Sequence, residues 1–191
     1  MSEATSAAEK PKVRKSRLHL TPDEAQRLVA AAAKRGRHPF RDKVLLRLIY
    51  RHGLRASEAR DPRWDDINLD AGTIHVRRKK MGKDSTHSMD RDELGGLRKL
   101  FKDLSGPFVF TTERGGPLSV DTIQYIVGAA GEACGLPDAH PHMLRHSAGY
   151  CLVNQGQDMR LIQDFLGHKT PMMTQHYTAM SPRRLAALRV R

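Results

Sequence analysis

Between Gly72 and Met89 the chain stops reading as helix. Thr73-Ile74-His75-Val76-Arg77-Arg78 alternates as a strand, Lys79-Lys80-Met81-Gly82-Lys83 supplies a turn, and Asp84 to Met89 can pair back, so an antiparallel hairpin is expected there. Almost everything around it carries helix punctuation. Thr21-Pro22-Asp23-Glu24 combines an N-cap threonine, a proline at the first helical position and a glutamate at the capping-box position, and its helix is expected to end at Gly36. A second helix over roughly 40–52 carries the apolar stripe Val44, Leu45, Leu48 and Ile49, with Gly53 placed as its C-terminal cap. Ser57-Glu58 opens a short third helix. A helix over about 91–104, a short strand at 108–110 and a helix capped by Ser119 that stops near Gly135 come next. After Pro141 four helical pieces follow, separated by Gly156, Gly167 and Pro182. The expected class is α+β, mainly α-helical with a small antiparallel β-sheet.

With 191 residues the chain is long enough for one domain with a real core. Residues 1–17 are small, polar and increasingly basic, and read as a flexible basic N-terminal arm; structure is expected from residue 18. Lys and Arg number 33 against 21 Asp and Glu, a formal net charge of +12 that suits a polyanionic partner. Cys134 and Cys151 sit in apolar helical contexts, which fits a reduced, cytoplasmic compartment and not metal ligation. No apolar run reaches transmembrane length and no signal peptide is recognisable, so no membrane role is expected.

The last third of the chain concentrates the reactive side chains. His142, Arg145, His168 and Tyr177 follow at spacings of three, twenty-three and nine, in HPHMLRHS and LGHKTPMMTQHYT. His142 and Arg145 share one helix face, where ring and guanidinium can converge on a phosphate. His142 and His146 are four apart, but the glutamate and third ligand of a zinc site are missing. His140 and His146 read as structural. Gly167 lets the chain turn and present His168. Of the four tyrosines, Tyr50 and Tyr150 read as core and Tyr125 as helix packing, which leaves Tyr177, among polar neighbours, as the exposed nucleophile. Its phenol, with an ordinary pKa of about 10, needs surrounding cations to stabilise the attacking phenolate. Upstream, Arg55 follows the Gly53 cap in GLRASEARDPRWDDI and is braced by Glu58. A lysine of the KKMGK turn can protonate a leaving oxygen, a task that suits an ammonium better than a guanidinium.

Taken together, Arg55, Lys80, His142, Arg145, His168 and Tyr177 resemble, in type, order and approximate spacing, the catalytic set of the tyrosine recombinases, the phage integrase family. The resemblance covers roughly residues 18–180, which it marks as a catalytic domain, and GLRASE, HPHMLRHS and LIQDFLGH look most like the small fimbrial phase-variation invertases. It implies a site-specific recombinase or integrase that cleaves and rejoins double-stranded DNA through a 3′-phosphotyrosyl link, in inversion, integration or excision, with no cofactor, metal or ATP. In those terms Tyr177 attacks, Arg55 and Arg145 hold the non-bridging oxygens, and Lys80 is the general acid, with Lys79 and Lys83 as competitors. His142 assists the tyrosine's proton, His168 donates to a phosphate oxygen, and Glu58 supports the arginines. Family members work as homo-tetramers on two duplexes, joined by a C-terminal segment passed between protomers. Residues 181–191, with Leu185, Leu188 and Val190, are either that segment or a helix folded back on its own domain. Most members also carry a core-binding domain before the catalytic one. Only about seventeen residues precede the first expected helix here, which bears on affinity and site selectivity and not on the chemistry; an accessory DNA-bending or core-binding protein is a candidate partner, and the expected place of the protein is cytoplasmic and nucleoid-associated. A type IB topoisomerase-like activity and a catalytically silent DNA-binding regulator are the alternatives.

Overall fold

The computed structural model describes residues 18–79, 82–103, 106–172 and 174. The expected arm 1–17, the tail 181–191, and both Lys80 and Tyr177 lie outside the described residues. Among the described residues, seven helices and three strands are delimited, in the order α1 (Pro22–Ala32), α2 (Pro39–His52), α3 (Ala56–Ala59), a 3-10 turn (Trp64–Asp66), β1 (Ile67–Asn68), β2 (Thr73–Val76), β3 (Ser85–Ser88), α4 (Arg91–Lys102), α5 (Val120–Ala133), α6 (Pro141–Asn154) and α7 (Met159–Leu166). The strands make one antiparallel sheet in that order, with Ile74 opposite His87 and Val76 opposite Ser85.

The helix starts obey their local chemistry. Thr21 accepts from the Glu24 N–H while the Glu24 carboxylate accepts from the Thr21 N–H, a complete capping box. Asp90 and Glu93 repeat the device at α4, and Ser119 caps α5 through the Thr122 N–H. Three expectations need correction. α1 ends at Ala32 with Ala33 as its cap, four residues before Gly36, which instead takes a left-handed turn (φ 75°) in the loop that follows. Phe108-Val109-Phe110 is not a strand: Phe108 makes an isolated bridge to Arg63, the Val109 N–H donates to Pro62 O and Phe110 O accepts from the Leu118 N–H without forming a ladder, and the Phe110 ring lies in the core. Tyr125 does not pack, because α5 turns it outward and leaves it 75 % exposed.

The core lies where α1, α2, α5 and α6 meet. Leu28, Leu45, Leu48, Ile49, Ile123, Val127 and Leu144 are wholly buried there. At about 25 cal/mol per Å² of apolar surface, residues of this kind each contribute about 1.5 to 3 kcal/mol. α2 is the central element, packed on α1, α4 and α6. A second small cluster, Val153, Ile162 and Leu166 with Phe165, fixes α7 against the end of α6. The two clusters bring the C-terminal ends of α2 and α7 side by side. Gly53 ends α2 with φ 57°, and a Cβ there would stand 2.4 Å from a Leu166 methyl. Only glycine supplies both the left-handed turn and this approach. No helix among the described residues is long and apolar enough to cross a membrane.

Candidate active site

The C-terminal turns of α2 and α7 present carbonyls that have no partner inside their own helices. Guanidiniums fill that role. Arg145, one turn into α6 and 1 % exposed, donates from Nη1 to Gly53 O at 2.5 Å and from Nη2 to Leu166 O at 2.6 Å. Cations suit this place because both helix dipoles point their negative ends at it. Arg55, at the N-cap of α3, reaches the same turn more weakly, from Nη2 to Gly167 O at 3.4 Å. Its side chain keeps 21 % exposure, so it faces outward where Arg145 does not.

Glu58 ties the cationic groups together. Oε1 accepts from Arg55 Nη1 at 2.6 Å, and Oε2 accepts from the Arg55 N–H at 3.0 Å. The same Oε2 lies 3.8 Å from Arg145 Nη1. Burial alone would push this carboxyl up, but the Arg55 N–H and the Arg78 and Arg55 guanidiniums outweigh it and hold it below its usual range. A buried carboxylate is tolerable only with this degree of pairing.

His168 follows the left-handed cap Gly167, as the sequence suggests, and is 9 % exposed. Burial first, then the Arg145 and Arg55 guanidiniums, pull its pKa down to about 3, so the imidazole is neutral at physiological pH. Nδ1 stands 2.9 Å from Thr174 Oγ1. A neutral ring carries one N–H, and a hydroxyl that donates to Nδ1 places that hydrogen on Nε2. His142 sits at the exposed rim, edge-on to His146 with centroids 4.3 Å apart. Partial desolvation, then Arg145, His140 and Arg55 nearby, lower its pKa too. The structure therefore gathers Arg55, Glu58, His142, Arg145 and His168 around one pair of helix ends.

It also adds a residue that sequence reasoning missed. Arg78 has a fully buried side chain and donates from Nη1 to Glu58 Oε2 at 2.8 Å. Nη2 donates to His52 O at 3.2 Å and to Phe165 O. The signal was in the alternation: Ile74, Val76 and Arg78 all point inward, while His75, Arg77 and Lys79 point out. Three guanidiniums thus surround one carboxylate, an excess of positive charge suited to an anion. Of the turn lysines, Lys79 is paired with Asp61, and Lys83 is exposed.

Behind Arg78 lies a buried polar chain. His52 Nδ1 is 3.2 Å from His87 Nδ1, His87 Nε2 is 2.8 Å from Ser85 Oγ, and His52 Nε2 is 3.0 Å from Glu93 Oε1. The last approach has ion-pair distance but lacks hydrogen-bond alignment. His87 stacks on Phe165 at 4.1 Å, and burial first, then His52 and Arg78, push its pKa down to about 3. The outward Tyr125 lies in another place, beside a small cavity with Ala32, Arg35, Gly36 and Asp42, none of which belongs to the arginine cluster.

Residues 19–184 match the model of the phage integrase family. The type 1 fimbriae regulatory protein FimB of Escherichia coli (strain K12) is 40 % identical over 172 residues, which cover 86 % of each chain. Among solved structures, XerA recombinase superposes with a TM-score of 0.76 at 27 % identity, over 89 % of this chain and 63 % of that one. A lambda integrase dimer bound to a COC' core site gives 0.70 at 25 %, over 94 % of this chain and 65 % of that one. The chain thus spans somewhat less than two thirds of the length of those two structures.

Proposed function

The chain belongs to the phage integrase family, and from that premise we propose that it is a site-specific DNA recombinase in which Tyr177 attacks the scissile phosphate. The observation that carries the reading is the cluster of Arg55, Arg78 and Arg145 on Glu58, next to a neutral, buried His168. Arg55, partly exposed, and Arg145 hold the non-bridging oxygens and offset the charge of the pentacoordinate transition state. His168 donates its Nε2 hydrogen to one of those oxygens. His142, at the rim with a lowered pKa, takes the proton of the Tyr177 hydroxyl as the phenolate attacks. The P–O bond to the 5′ oxygen breaks, a hairpin lysine protonates that oxygen, and the 3′ phosphate remains on Tyr177. Lys80 is the best-placed acid by sequence, since Lys79 is committed to Asp61. Resealing by the 5′ hydroxyl of a partner strand reverses these steps.

Arg55, Arg145, a hairpin ammonium and a neutral imidazole supply the electrostatic stabilisation in this reading, and the bond energy kept in the phosphotyrosyl link allows resealing, so the proposed reaction uses neither metal nor ATP. Strand exchange in this reading joins two duplexes and four protomers. An accessory DNA-bending or core-binding protein completes the grip on DNA. The protein works on the nucleoid, in the cytoplasm.

The test uses nicked duplexes tiling the DNA that flanks the coding sequence. Wild type is expected to form a covalent adduct, and Tyr177→Phe to bind the same duplex without one. Binding with no adduct from either protein would indicate a silent DNA-binding regulator; relaxation of a single supercoiled duplex without recombination would indicate topoisomerase-like activity.

A further inference from the structure

Two residues past the end of β2, Arg78 continues the inward register of that strand and is an odd residue for it. Its neighbours there, Ile74 and Val76, are apolar and buried. Burial pulls the Arg78 pKa down, against the opposing pull of Glu58, and its Nε finds no hydrogen-bond partner among the described residues. A methionine of similar length would fill the space without that desolvation cost, and replacing buried ion pairs by apolar groups is often neutral or stabilising. Stability alone does not account for an arginine here.

Its contacts indicate what does. The guanidinium spans Glu58 of α3, His52 O and Gly53 O at the end of α2, and Phe165 O at the end of α7. The backbone N–H of Arg78 donates to Asp84 Oδ1 at 2.7 Å, tying together the chain on either side of the lysine stretch 79–83. Where the chain leaves the turn, Gly82 crosses so closely that a Cβ would stand 2.8 Å from the Arg78 Cβ and 3.0 Å from Gly167 O. On the other side, a Cβ on Gly167 would stand 2.7 Å from the Arg78 Cγ and Cδ. The side chain is therefore wedged between two glycines, one at the exit of the lysine-bearing turn and one directly before His168.

We infer that Arg78 is a positioning residue for the recombination step, anchoring the lysine turn to the Glu58 cluster so that its ammonium stands in register with the leaving oxygen. The inference rests on the proposed strand-transfer chemistry and goes beyond it by assigning a residue that touches no substrate. The planar fork is suited to the task because it reaches a carboxylate and three carbonyls at once; a lysine ammonium is a single point with three donors and spans fewer of them.

The experiment compares full-length wild type, Arg78→Met, Arg78→Lys, and alanine variants of Lys79, Lys80 and Lys83 on two nicked duplexes of the sequence that wild type attacks. One has an ordinary scissile phosphate; the other has sulfur in place of the leaving 5′ oxygen, and a thiolate departs without needing a proton. Arg78→Met is expected to slow adduct formation on the oxygen substrate by about 100-fold, the range of a lost general acid. DNA affinity stays within about threefold, and the sulfur substrate restores the rate, as it does for the lysine variant that loses the acid; Arg78→Lys falls between. Equal slowing on both substrates, by either Arg78 variant, would reduce Arg78 to a structural role and overturn the inference. So would a wild-type rate on the oxygen substrate, or sulfur rescue of none of the lysine variants. Failure of wild type to form an adduct on any duplex tiling the flanking DNA would instead sink the strand-transfer reading, and this inference with it. Thermal melts of the two Arg78 variants identify a protein that has not folded; if Arg78→Met fails to fold, Arg78→Lys decides.

Discussion

Removing the charge of Glu58 while keeping its shape, as Glu58→Gln, leaves three guanidiniums facing one another with no carboxylate between them. Breaking a buried ionic cluster from one side costs about 3 to 5 kcal/mol, so denaturant midpoints should fall sharply. A midpoint equal to wild type would mean that the arginines are held by the carbonyls alone. Thr174 acts more quietly. The residue is 1 % exposed and its Oγ1 lies 2.9 Å from His168 Nδ1, so Thr174→Val keeps the volume but removes a hydroxyl that, as donor to Nδ1, leaves the ring hydrogen on Nε2. A roughly 10-fold slower cleavage at unchanged DNA affinity is expected, since a neutral imidazole with the wrong tautomer cannot donate; an unchanged single-turnover rate would remove Thr174 from the account. Most of these residues were legible beforehand. Arg55, Glu58, His142, Arg145 and His168 stand out by motif, and the structure gathers them. Arg78 was hidden because a sequence read for motifs treats an arginine before a basic turn as one more surface charge. Thr174 was passed over because a threonine beside a reactive tyrosine looks like loop polarity.

The hairpin and the two glycine-capped helices build the site, and the hairpin and the second of these helices carry a pH dependence. His87 on β3 and His168 after α7 both have folded pKa values near 3, well below the ordinary histidine value of 6.5. A histidine kept neutral by burial takes up a proton more readily when the chain unfolds. Each therefore leaves stability untouched above about pH 6.5 and lowers it as pH falls toward 3, with a limiting slope of about 1.4 kcal/mol per pH unit. Glu58, held below its usual range, acts in the same direction at the acidic end. His87→Gln should flatten the urea-midpoint profile between about pH 6 and pH 4 relative to wild type; parallel profiles would show that His87 is not the group responsible. At this level the helices were readable because caps and glycines are local signals: Thr21 with Glu24, Ser119, Gly53 and Gly167 all sit where the sequence places them. Phe108–Phe110 and Tyr125 were not, because both depend on long-range packing. Phe110 is claimed by the core and Tyr125 is left outside it, and periodicity within a short apolar run does not tell these fates apart.

The whole chain carries a net charge of +12, and that excess should govern how it meets DNA. If about six to ten phosphates are neutralised, affinity for a duplex falls by about 10³ or more between roughly 50 and 200 mM salt. Fluorescence anisotropy across that range reads the slope directly, and a flat profile would contradict phosphate-driven binding. The charge surplus and the family motifs were open to view in the sequence; the way three arginines share one carboxylate between two helix ends was not, since those residues lie up to ninety positions apart. The most direct test of the account is to trap the covalent protein–DNA adduct in excess EDTA, digest it, and identify the modified peptide by mass spectrometry. A single peptide carrying a 3′-phosphonucleotide on Tyr177 is the expected result. An adduct on another side chain, the exposed Tyr125 included, or one that forms only when a divalent metal is restored, would contradict it.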